Sequence, residues 1–107
     1  MNKDEHWMKI AIQEANLAMN ENEIPVGAVI VQNDKLIAQA HNQSIKNNDP
    51  TAHAEIQVIR KAGIELSNYR LNDSTLYVTL EPCPMCYSAL VHARIKKIIF
   101  GALDFKT

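Results

Sequence analysis

Apolar residues recur at three- and four-residue spacing between Lys3 and Met19. Trp7, Met8, Ala11, Ile12, Ala15, Ala18 and Met19 form one stripe, which predicts an amphipathic helix with Trp7 and the methionines as core. Asn2, three positions before Glu5, supplies a capping box, and "NENEIP" ends the helix. The period then changes. "VGAVIV" (Val26 to Val31) is β-branched and nearly continuous, which predicts a strand buried on both faces. Asn33 and Asp34 in "QNDK" suit a tight reversal, so "LIAQAHN" reads as the antiparallel partner. The polar "QSIKNNDP" is a loop. Asp49 before Pro50 predicts a helix start, and the second helix runs through "TAHAEIQVIRKA" to stop near Gly63. "TLYVTL" (Thr75 to Leu80) is a third strand, "EPCPMCYSALVHARI" a loop running into a third helix, and "KKIIFGA" (Lys96 to Ala102) a fourth strand. The order αββαβαβ predicts an α/β fold: a mixed sheet covered by helices, its βαβ steps forming parallel pairs through right-handed crossovers. The three glycines fall at punctuation points.

Composition narrows the possibilities without adding to them. The 107 residues match one compact domain, 1–107. With 47% hydrophobic and 21% charged residues and a net charge of −1, the chain is unlike a disordered one. Nor is it basic enough to hold nucleic acid through its whole-surface field, so any such contact must be local. No apolar run approaches the about 18 residues that span a bilayer, so no membrane partner is expected. The acidic residues of "MNKDEHWMKI" stand where a signal peptide needs a basic start, which points to the cytoplasm. "ARIKK" (Ala93 to Lys97) is the densest basic stretch; it reads as a solvated start to a strand, with phosphate contact as the alternative.

Two half-sites carry the chemistry. Cys83 and Cys86 stand three apart at a helix start, where i and i+3 share a face and side chains lean toward the N-terminus. The positive end of the helix dipole favours thiolate there. Such a pair is half of a tetrahedral zinc site, and the spacing alone fits a redox C-x-x-C equally well. His53 and Glu55 bear on the choice. On the side of a helix, i and i+2 diverge, but at a helix N-terminus first-turn side chains converge on what lies ahead. His53 then becomes a third zinc ligand, and Glu55 stands beside the open fourth position that marks a catalytic zinc. Taken alone, each has a plainer reading: a surface histidine and a solvated first-turn carboxylate. His6 and His92 are read as exposed or interfacial, and His41 has no motif role.

Together, "HAE" and "PCPMC" match H-x-E…P-C-x-x-C, the known signature of zinc-dependent base deaminases. "EIPVGAVIV", "DPTAHAEI", "NYRL", "TLYVTLEPCPMC" and "GALDFKT" extend the match over essentially the whole chain, which closely resembles bacterial tRNA-specific adenosine deaminases. That resemblance implies a cytidine-deaminase-like three-layer α/β/α sandwich and one Zn²⁺ per chain held by His53, Cys83 and Cys86. It implies a zinc-activated water, with Glu55 as the proton shuttle that turns adenosine into inosine at the wobble position of a tRNA anticodon stem-loop. It places Asn42 and the backbone around Ala54 and Glu81 against the base, Ile24, Val26 and Leu80 as pocket walls, and Asp104 and Lys106 beside the RNA. A homodimer with the site near its interface is also implied.

The chain departs from that pattern in two ways. The family continues past its "KTG" region with a further strand and C-terminal helices, whereas this sequence stops at Thr107. The fold is therefore expected to be C-terminally truncated, with a bare sheet edge that a partner covers or that weakens RNA binding. Tyr87 and Ser88 stand where small residues are usual, so their bulk is expected to bear on helix packing or on the dimer contact. Three alternatives stay open: deamination of a free base or nucleotide of guanine or cytosine type, a non-catalytic zinc-stabilised RNA-binding subunit, and a thiol redox protein.

Overall fold

The computed structural model describes residues 2–101. Helix α1 (Lys3–Asn20) begins at Asn2, whose side chain accepts the Glu5 N–H at 2.8 Å. Strands β1 (Gly27–Gln32) and β2 (Lys35–His41) form a hairpin. Asn33 and Asp34 both have positive φ at its turn, the reversal that matches the twist of paired strands. Helix α2 (Ala54–Leu66), strand β3 (Ser74–Val78), helix α3 (Pro84–His92) and strand β4 (Lys97–Phe100) follow.

The sheet order is β2-β1-β3-β4, antiparallel except for the parallel pair of β3 and β4. It is mixed, as the element order predicted, but only one βαβ step joins neighbours. β2 and β3 flank β1 on opposite sides, so the connection carrying α2 passes over a strand instead of making a parallel pair. β1 is an interior strand, as is β3, and is buried from Gly27 to Val31. Its alternate residues feed two cores. Ala28 and Ile30 join Leu76 and Val78 against Ala54, Val58 and Ala62 of α2 and Leu90 of α3. Val29 and Val31 join Tyr77 against Ala11, Trp7 and Met8 of α1. These layers are the three-layer α/β/α sandwich.

The ends of α2 and the buried face of α1 differ from the sequence pattern. α2 starts at Ala54 rather than near Asp49, because the Asp49 carboxylate closes a local turn on Thr51, accepting from its N–H at 2.9 Å and its hydroxyl at 2.7 Å. Those two bonds hold Asp49 below its usual carboxylate range. The same helix runs through Gly63 to a left-handed Ser67. On α1, Ile12 and Met19 are 49% and 56% exposed, while Ala11, Glu14, Ala15 and Ala18 face the sheet. The small side chains let α1 lie close to β1, and Ile12 and Met19 of the predicted stripe fall outside that narrow contact while Trp7 and Met8 pack at its edge.

Candidate metal centre

Two helices end their N-termini at one place. His53 is the N-cap of α2 and Cys83 the N-cap of α3, both in extended backbone. An N-cap side chain ordinarily accepts a first-turn N–H, yet neither of these does so. Both point instead at a common spot. Nδ1 of His53 lies 3.7 Å from Sγ of Cys83 and 3.5 Å from Sγ of Cys86, and one donor atom from each residue lies within 4.8 Å of the others. Zinc bonds of about 2.0–2.1 Å to nitrogen and 2.3 Å to sulfur at tetrahedral angles require N to S separations of about 3.6 Å. Both nitrogen–sulfur edges of the triangle therefore fit zinc as they stand. The His53 placement also removes the i, i+2 objection, since that residue precedes the helix and Glu55 sits in its first turn.

The electrostatics agree with a cation there. Burial and the neighbouring Glu55 carboxylate push the Cys86 thiol well up, so its thiolate needs a positive partner, the part a divalent cation plays. Both helix dipoles also present their positive ends to the site. Glu55 is buried beside the ligands, and that burial raises its carboxyl above the usual range, partly offset by its own backbone N–H, His53 and a hydrogen bond with Cys86.

These groups open into a cavity of about 220 Å³ lined by Ile24, Val26, Asn42, His53, Glu55, Leu80, Glu81 and Cys83. It lies past the C-terminal ends of β2 and β3, where open α/β sheets bind their ligands. Its size is below the about 300–1,000 Å³ of pockets for drug-sized molecules, which suits one heterocyclic base. Ile24 is 67% exposed and forms the rim rather than core. Of the sequence-selected residues, Ala54 is buried as the first residue of α2 and is not in the lining. Asp104 and Lys106 lie outside the described residues. Tyr87 and Ser88 lie on the more exposed side of α3, Tyr87 38% exposed.

Sequence reasoning missed a polar layer behind the cavity. The His41 ring lies between two carboxylate acceptors, its Nδ1 2.7 Å from Glu14 and its Nε2 3.0 Å from Glu21, and Glu23 is buried behind Asn42. Glu23 stands in "NENEIP", whose acids look alike in sequence, and nothing in the pattern marks the one that turns inward. A larger open groove of about 850 Å³, lined by Ile59, Ile64, Tyr69 and neighbours, shares no residue with the metal site and carries no acid, thiol or histidine.

Comparison with known proteins agrees with this geometry. The family model of the cytidine and deoxycytidylate deaminase zinc-binding region matches residues 1–102. A tRNA-specific adenosine deaminase of Buchnera aphidicola subsp. Schizaphis graminum is 50% identical over 101 residues, covering 94% of this chain and 67% of the relative. The chain spans 61% of the length of the corresponding Haemophilus influenzae relative. Among solved structures, one from a study of A-to-I editing by tRNA:A34 deaminases superposes with TM-score 0.93 at 48% identity, covering 94% of this chain and 73% of that one. A guanine deaminase from Bacillus subtilis superposes with TM-score 0.91 at 43% identity, covering 96% and 66%. The His53, Cys83 and Cys86 triangle and the match over residues 1–102 lead to one conclusion: the chain belongs to the zinc-binding family of cytidine and deoxycytidylate deaminases.

Proposed function

We propose that this chain hydrolyses adenosine to inosine and ammonia in tRNA, at the anticodon wobble position, with Glu55 as the proton carrier. The observation that carries the chemistry is a buried carboxylate beside three metal-ligand side chains at the floor of a base-sized cavity. His53, Cys83 and Cys86 would hold zinc, which when bound supplies a Lewis acid that brings the pKa of water toward neutrality. Glu55, its carboxyl raised by burial, is a better proton acceptor than an exposed glutamate. It takes the proton from water as the oxygen bonds to C6 and gives it to the purine ring nitrogen. It then takes the second proton from the C6 hydroxyl and passes it to the amino group as the C6–N bond breaks, leaving the C6 carbonyl of inosine and free ammonia. Asn42 meets the base edge with an amide that both donates and accepts, and Val26 and Leu80 wall the ring.

The choice of tRNA adenosine over a free base rests on likeness to the tRNA-specific relatives. Deamination of free guanine is the second reading, favoured by the 43% identity to a guanine deaminase. A cytoplasmic homodimer accompanies the tRNA reading, since that substrate is cytoplasmic in bacteria and the resemblance implies a dimer. The test is direct. Zinc-loaded protein is incubated with anticodon stem-loop RNA carrying adenosine at the wobble position and, separately, with guanine. Inosine in the RNA supports the proposal, while xanthine alone sinks it. Glu55→Gln should lower turnover by roughly 10³-fold or more, within the range for losing a positioned acid–base group, while zinc content stays at one per chain. Wild-type turnover by that variant would remove Glu55 from the mechanism.

A further inference from the structure

Glu23 takes no part in the chemistry described so far, yet it is a buried carboxylate, 6% exposed. Three donors converge on it. Its Oε1 accepts from Asn42 Nδ2 at 3.4 Å and from the Ile45 N–H at 3.1 Å, and its Oε2 accepts from the Lys46 N–H at 2.8 Å. Asn42, also buried, lines the base-sized cavity, and Glu23 does not. The glutamate thus stands directly behind a side chain that faces the pocket. An asparagine amide has nearly equal ends and can turn over, exchanging donor for acceptor. A carboxylate flanked only by donors forbids that exchange, because the flipped amide would set its carbonyl oxygen against a charged acceptor.

We propose that Glu23 is a positioning residue that holds the Asn42 carboxamide in one orientation, so that the cavity presents a fixed donor and acceptor pattern to the edge of the base. The inference rests on the reading of this cavity as the base pocket. The two backbone bonds give the arrangement its stiffness: they tie the loop after β2 to the same carboxylate, so Asn42 and its neighbours move as one piece. Glutamine in place of Glu23 keeps the size but leaves one acceptor oxygen for three donors. Its amide can also donate to a flipped Asn42, and the pattern is no longer fixed.

A double-mutant cycle separates this role from simple loop support. Glu23→Gln in the wild-type background should lower kcat/KM on adenosine anticodon stem-loop RNA by about 10-fold. In an Asn42→Ala background the same change should cost less than about 2-fold. Equal losses in both backgrounds overturn the proposal, since Glu23 then acts independently of Asn42. Side-chain amide NMR of the wild type gives a readout independent of activity and of whether the variant folds. One Asn42 Nδ2 proton should be protected from solvent exchange, and two freely exchanging protons overturn the proposal. If the wild type deaminates no adenosine, the proposed function falls, and the amide exchange still decides the role of Glu23.

Discussion

Tyr77 shows how one side chain can join two layers. Its ring is buried in the core beneath α1, and its hydroxyl donates to the Asp4 carboxylate at 2.7 Å. Burial, then the bond to Asp4, then the charges of Asp4 and Asp34 push the phenol well above its usual value. A raised folded-state pKa gives stability that is complete below the unfolded value, near 10, and is lost as pH rises beyond it. Tyr77→Phe should therefore lower stability by about 1.5 kcal/mol at pH 7, a typical value for a hydrogen bond to a charged group. The difference between wild type and variant in urea midpoint should narrow above about pH 10. A gap that stays constant to pH 11 would show that ionisation of the phenol is not linked to folding. The meeting of His53, Cys83 and Cys86 was legible through the combined H-x-E…P-C-x-x-C signature, since each spacing alone admits a plainer reading. Glu23, Glu14 and His41 were not, since a buried polar contact between distant residues leaves no period.

At the scale of elements, the approach of α1 to β1 decides the architecture of one face. Gly27 opens β1, and a Cβ built there would lie 2.0 Å from the Ala11 carbonyl oxygen and 2.5 Å from the Ala15 nitrogen. Both obstacles are backbone, so no rotamer change relieves them and the helix itself must move. Gly27→Ala should destabilise by about 3 kcal/mol or more, at or above the upper part of the usual range for overpacking, read as a shift in urea midpoint. A loss under about 0.5 kcal/mol would mean that α1 slides freely on the sheet. The helical period correctly gave α1 its existence and ends, but it could not show that alanines would face the strand and leave Ile12 and Met19 outside. That choice depends on the missing side chain at Gly27, a feature of the partner element. For α2 the period placed the helix, and the Asp49 turn delays its start to Ala54, leaving His53 as the N-cap that meets the cysteines.

In the whole molecule, the metal site joins parts that the sheet alone holds together only indirectly. His53 enters from the loop before α2, and Cys83 and Cys86 enter after β3 at the start of α3. Zinc bound to all three closes the chain between residues 53 and 86, so the folded state alone offers the complete ligand set. Binding restricted to the folded state stabilises it by about 2.7 kcal/mol when free zinc is 100 times its Kd. At about 4–8 °C per kcal/mol for a domain near this size, removing zinc should lower Tm by roughly 10–20 °C. Differential scanning calorimetry with and without a chelator measures this, and restoring zinc should restore the midpoint. Magnesium should not, because it prefers oxygen ligands in octahedral geometry. The same experiment separates a metal site from a redox pair. A thiol pair predicts an unchanged midpoint on chelation and a raised one on oxidation, whereas oxidation of Cys83 with Cys86 should here remove two ligands and lower the zinc-loaded midpoint. The burial of Cys86 beside Glu55 favours the metal site, since an enclosed, acid-flanked thiol is a poor nucleophile until a cation draws off its proton.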